Sequence, residues 1–144
     1  MIWKLALVLF AIGGISHIIF GIVYVTASDF MSYHAQALNV DWNRLGENYK
    51  TLVLALIRLA GVGGLVAGIV NLTLVSCLYH RVESRLIWLL IASSLIFQSM
   101  MNYVVYSVDI NTPGDPPLLM VSIVSVTFII ATILLLAGFR GQHA

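Results

Sequence analysis

Among the polar side chains inside the long apolar runs of this sequence, four stand out: His17, Arg58, Gln98 and Asn102. Arg58 poses the sharpest chemical question. It is the single formal charge in Thr51–Ser76, TLVLALIRLAGVGGLVAGIVNLTLVS. A guanidinium within a membrane helix costs roughly 2.5–3.5 kcal/mol on insertion scales. Arginine stays protonated in proteins, so that charge must be met by a carboxylate, carbonyl oxygens, water or a bound anion. Gln98 and Asn102 could orient a ligand by hydrogen bonds, and His17 or His34 could exchange a proton near neutral pH. With Tyr33 in the loop before Arg58, the candidate ligand-binding set is Arg58, His17, Gln98, Asn102, His34 and Tyr33. Each also has a plainer role. His17 can be a hydrogen-bonded packing residue, and Gln98 and Asn102 can be interhelical glue at about 0.6 kcal/mol per bond. Arg58 can snorkel to the surface or pair with Asp29 or Glu47.

The elements that must position these residues follow from hydropathy. The chain has 144 residues, 60% hydrophobic and 9% charged, against about 25% charged in soluble domains. Runs at 3–27, 51–76, 86–106 and 118–139 each reach the ~20 apolar residues that cross a bilayer. The expected fold is one all-α domain over 1–144, an integral membrane up-down-up-down four-helix bundle with short connections. Lys4, Arg81, Arg85 and Arg140 flank one side, Arg44 and Lys50 the other, which puts both termini in the cytoplasm. His17 and Arg58 then lie roughly 3 Å and 8 Å outward of their span centres at 1.5 Å per residue. Gln98, Asn102 and Ser125 fall in the same outer half, whereas Asn71 lies toward the cytoplasm.

Glycines mark the helix faces. Gly13, Gly14 and Gly21 surround His17, and Gly61, Gly64 and Gly68 follow Arg58, with a GxxxG at Gly64–Gly68. Small residues let membrane helices approach closely, so both polar residues are expected to face inward. In the first outer loop, Ser28 is a plausible N-cap for a short amphipathic helix on the outer leaflet, ending near Asn39. In the second, Pro113-Gly114 suits a type II turn, and Pro116-Pro117 can begin the fourth helix.

Several function classes find no support in the sequence. A net charge of +1 offers no basic field for nucleic acid. A lone cysteine, Cys77, cannot form an internal disulfide, and no histidine cluster accompanies it to make a metal centre. A bis-histidine haem would need two axial histidines at matching depth, and His17 alone lies within a span. No nucleophile–base arrangement stands out, and no span carries an acid for an ion pathway. The first apolar run is too long for a signal h-region and is read as a retained helix. No cofactor is expected.

At Arg58-Leu59-Ala60-Gly61-Val62-Gly63-Gly64-Leu65-Val66-Ala67-Gly68 the second span resembles the Arg-then-glycine helix of small DoxX-like membrane proteins. Phe30-Met31-Ser32-Tyr33-His34, followed by Trp42 and Arg58, is similar to a group of uncharacterised bacterial inner-membrane proteins of this size. The resemblance implies a compact four-helix bundle in a bacterial inner membrane, and some DoxX-like proteins are described as quinol-oxidation or thiol-redox subunits. Three functions fit. The first is a binding or accessory protein whose outer-leaflet pocket holds an anionic or carbonyl-bearing amphiphile, a membrane lipid headgroup or a quinone. The second is a subunit or homo-oligomer assembled with other membrane subunits through the glycine faces. The third is a quinone-linked redox subunit, although nothing in the residues marks an enzyme.

Overall fold

The computed structural model describes residues 2–140. It is all-helical, with α1 (Ile2–Val25), α2 (Ser32–Leu38), α3 (Glu47–His80), α4 (Ser84–Asn111) and α5 (Leu118–Arg140), and a short 3-10 turn at Trp42–Arg44. His143 and the tail after Arg140 lie outside the described residues, as does the Arg140 side chain. The helices α1, α3, α4 and α5 are long and apolar enough to cross a membrane. Their outward faces expose Leu5, Ile12, Ile19, Leu59, Ile69, Ile96 and Ile133. Apolar cover on this scale is untenable in water and natural in hydrocarbon. The chain is a multi-pass membrane protein.

Two helices outrun the apolar runs that announced them. α3 has 34 residues, about 51 Å at 1.5 Å per residue, against a hydrocarbon core of about 30 Å. Hydropathy placed its start at Thr51, yet the backbone is already helical at Glu47, with Gly46 at the N-cap. Glu47 favours that first turn by its charge and accepts a hydrogen bond from Lys50 Nζ at 2.9 Å. α4 likewise runs past Tyr106 to Asn111 before an extended Thr112 ends it.

The closest helix contact is a glycine seam between α1 and α3. A Cβ at Gly21 would lie 2.6 Å from the Leu65 nitrogen and 2.8 Å from the Gly61 carbonyl oxygen. One at Gly68 would lie 2.6 Å from the Gly14 carbonyl oxygen. Backbone touches backbone here, which only glycine permits. Because Gly21 faces Gly61 while Gly14 faces Gly68, the two helices run in opposite directions. Lys4 Nζ, 5.6 Å above the Tyr79 ring, closes the far end of the pair. The expectation that these glycine faces serve assembly with another chain meets a physical obstacle: Gly13, Gly14, Gly21, Gly61, Gly64 and Gly68 are all buried within this one.

α1 also packs on α5, and α4 packs on both α3 and α5. The end that holds Trp3 and Gly138 has a dense apolar core of Leu7, Phe10, Leu78, Ile87, Leu90, Phe128 and Leu135. The opposite end holds a smaller cluster of Ala27, Phe30 and Ile57, with Trp42, Leu45 and Val53 against it.

Two loop expectations are corrected. The helix expected from Ser28 begins at Ser32, because Phe30 first turns inward to meet Ala27 and Ile57. Its cap is reciprocal: His34 Nδ1 accepts a hydrogen bond from the Met31 backbone N–H at 3.1 Å, and Asn39 ends the helix at φ 50°. Gly114 has no positive φ, so Pro113-Gly114 is not a type II turn. Gly114 is needed for close approach instead, since a Cβ there would lie 2.7 Å from the Tyr33 carbonyl oxygen.

Candidate ligand-binding site

His17, Gln98 and Asn102 come together, joined by Ser125 of α5. His17 is only 5% exposed and lies between the rings of Phe97 and Phe128, whose centroids are 4.7 Å and 5.3 Å from its own. Gly13, one turn earlier, leaves the space that the Phe128 ring fills. His17 Nε2 lies 3.1 Å from Gln98 Oε1. The Gln98 amide nitrogen donates to the Val121 carbonyl oxygen at 3.0 Å and to Ser125 Oγ at 2.8 Å. Those two acceptors fix which way the amide faces, so its oxygen is presented to His17. His17 must then carry its hydrogen on Nε2, leaving Nδ1 with a lone pair. That Nδ1 is buried and has no hydrogen-bond partner among the described residues.

Asn102 sits one turn beyond Gln98, where its amide nitrogen donates to the Gln98 carbonyl oxygen at 2.9 Å and to Ser125 Oγ at 2.8 Å. Both amide groups expected to donate to a ligand are therefore engaged within the protein. What the cluster retains is an acceptor. Asn71, separate from this set, donates to Ser94 Oγ at 2.9 Å between α3 and α4.

Beside the cluster a crevice of about 470 Å³ separates α1 from α5. Ile19, Phe20 and Val23 form one wall, Val121, Ile123 and Val124 the other, and Gln98 and Met101 of α4 the floor. Its polar lining comes from Ser16, His17, Tyr24 and Gln98, and the Ser16 hydroxyl already donates to the Ile12 carbonyl oxygen at 3.0 Å. The crevice opens where the glycine seam holds α1 close to α3. The α1–α5 contacts of Trp3 with Gly138 and of Phe10 with Phe128 lie nearer the chain termini.

Arg58 does not join this set, contrary to the expectation that it faces inward. The buried stripe of α3 runs through Ile57, Gly61, Gly64, Gly68 and Asn71, and one residue rotates the helix by about 100°. Glycine contact with α1 fixes that rotation, which leaves Arg58 exposed. Its Nη2 donates to the carbonyl oxygen of Ala27 at 3.3 Å, just past the end of α1. Neither Asp29 nor Glu47 pairs with it; Glu47 is taken by Lys50. The guanidinium thus reaches a carbonyl left over by a helix terminus.

Tyr33 and His34 stand one layer beyond the crevice and communicate with it through Tyr24. The hydroxyls of Tyr24 and Tyr33 are hydrogen-bonded, and the Tyr33 and His34 rings lie 4.0 Å apart. Burial, then the adjoining Tyr24 hydroxyl, pushes the Tyr33 phenol up, so it remains a hydroxyl. Burial lowers the His34 imidazole from its ordinary value. Past this pair a vestibule of about 790 Å³ is bounded by Tyr24, Tyr33, Asp109, Asp115 and the start of α5. Sequence reasoning missed Tyr24, although a tyrosine seven positions after His17 shares its face.

Among the described residues, no group of three or more His, Cys, Asp or Glu could hold a metal ion. Comparison of the chain with models of protein families, with curated proteins and with solved structures found no match.

Proposed function

We propose that this protein binds a hydroxyl-bearing amphiphile in the crevice between α1 and α5. In this reading it is an up-down-up-down four-helix bundle of a bacterial inner membrane, with both termini in the cytoplasm and α2 lying as an amphipathic helix at the outer surface. The resemblance of the Arg58–Gly68 stretch to a DoxX-like helix, together with the four spans, points to that setting. The observation that carries the ligand class is the unpartnered, buried Nδ1 of His17, a residue that lines the apolar crevice. A buried acceptor without a partner costs about 1–3 kcal/mol, which a ligand hydroxyl recovers. An anion finds no cation in the lining, and a ligand carbonyl finds the Gln98 and Asn102 amides already engaged. A quinol therefore fits better than the corresponding quinone, and a lipid alcohol shares the same chemistry.

The test compares a short-chain quinol with its oxidised quinone by titration of the purified protein in nanodiscs. Wild type is expected to prefer the quinol about ten-fold, the equivalent of one hydrogen bond of about 1.4 kcal/mol. His17→Phe is expected to abolish that preference, while Arg58→Gln leaves it intact. Equal binding of the two redox forms by wild type would overturn the proposal. Competition by decanol as strong as that by the quinol would assign the site to a simple lipid alcohol.

A further inference from the structure

The vestibule beyond the Tyr24–Tyr33 pair carries charge that the crevice lacks. Asp109, in the last turn of α4, and Asp115, in the loop before α5, both bound it. Neither forms an ion pair among the described residues, whose salt bridges use Asp41, Glu47 and Glu83. No basic side chain lines this space. Two tyrosines, Tyr24 and Tyr33, stand beside the acids, and burial keeps the Tyr33 phenol from ionising. Unpaired carboxylates beside aromatic rings make a chemical environment for an organic cation, drawn by Coulomb attraction and by the ring quadrupoles.

The vestibule also adjoins the crevice. Tyr24, Pro117 and Met120 belong to the walls of both. At the other end of the crevice stands His17, which is 5% exposed and whose Nδ1 lacks a partner. From His17 to Tyr24 is seven residues of α1, about 10 Å along its axis. A single elongated molecule that passes the shared wall of Tyr24, Pro117 and Met120 would occupy both spaces, apolar along the crevice and charged where it emerges.

We infer that crevice and vestibule together take an amphiphilic cation, its apolar body between α1 and α5 and its quaternary ammonium or amine head between Asp109, Asp115, Tyr24 and Tyr33. This inference rests on the crevice being a binding site and adds the charge of the ligand. An amphiphile with an anionic head is disfavoured by the same two carboxylates.

Decyltrimethylammonium, decanol and decyl sulfate, which share one chain length, separate the contributions by calorimetric titration of the full chain in nanodiscs of zwitterionic lipid. Empty nanodiscs give the partitioning background. Wild type is expected to bind the cation at least about ten-fold more tightly than decanol, and decyl sulfate more weakly than either. The double variant Asp109→Asn, Asp115→Asn is expected to lose the preference for the cation over the alcohol, whereas Asp29→Asn, at an acid outside the vestibule, keeps it. Val124→Trp, which fills the crevice, is expected to weaken the cation and the alcohol together. A cation preference that survives the double variant, or one absent from wild type, overturns the inference while the crevice reading stands. Failure of Val124→Trp to weaken either probe overturns both.

Discussion

At the scale of single residues, Gln98 is the side chain on which the polar layer depends. It receives from His17, donates to α5 twice, and its backbone carbonyl accepts from Asn102. Hydrogen bonds between membrane helices average about 0.6 kcal/mol and reach about 1.7. Gln98→Leu breaks several at once and strands the Nε2 hydrogen of His17. A loss of about 1–2 kcal/mol is expected in reversible unfolding, against roughly half of that for Asn102→Leu. Arg58→Gln should change stability by no more than about 0.5 kcal/mol, as exposed substitutions do. A loss near that of Gln98→Leu would mean that the Ala27 contact is structural after all. The sequence made Arg58 the most conspicuous residue of the chain, and it proved to be a peripheral one. A charge in an apolar run reports a cost, but the direction of its side chain is decided by the neighbours that claim the buried face.

At the scale of elements, the α1–α3 seam and α2 give contrasting predictions. Gly61→Leu or Gly68→Leu inserts a side chain where backbone atoms already stand within 2.9 Å of the Cβ position. Overpacking of this sort costs about 1–3 kcal/mol, and the helices must part to admit it. Gly63→Ala is the internal control, because its Cβ would meet nothing nearer than 3.6 Å. It should be neutral or slightly stabilising by thermal unfolding, and equal losses at positions 61 and 63 would refute the seam. For α2 the variable is pH. His34 closes the helix start by accepting from Met31 N–H at Nδ1, and burial holds its imidazole below the ordinary 6.5. Unfolded α2 takes up a proton first as pH falls below about 6.5, so the folded segment loses stability from there down to its own lower value. No such loss applies above pH 6.5. The rings of Tyr24, Tyr33 and Phe30 face this imidazole and bring no carboxylate to offset the loss. Amide exchange across residues 32–38 is expected to quicken between pH 7.5 and 5 beyond the intrinsic trend, and His34→Gln should flatten that response. Hydropathy announced α1, α3, α4 and α5, since a span is a local property. Helix ends were less legible because caps and charges, not apolarity, determine where the backbone stops. Gly114 shows the same limit: its role against Tyr33 is set by a partner 81 positions away in the chain, which no turn rule contains.

At the scale of the whole molecule, the two ends are built differently. The end bearing Trp3 and Gly138 is filled by interlocked Phe and Leu, whereas toward the other end the interior turns to amides, tyrosines and open space beside a smaller apolar cluster around Phe30 and Ile57. Depth brought His17, Gln98 and Asn102 to one level, but it brought Arg58 there too, and only the rotation of α3 separates them. A void is different in kind. It arises from how far two helices stand apart, which no single residue type announces.

That lateral separation bears on how anything would arrive. An opening flanked by the exposed side chains of Ile19, Met120 and Ile123 faces sideways, across the helix walls. A molecule already dissolved in the surrounding sheet of lipid meets it by diffusion in two dimensions, at the high local concentration that partitioning provides. Occupancy is then governed by how much of the compound the bilayer holds, and even a loose fit would fill in step with that reservoir.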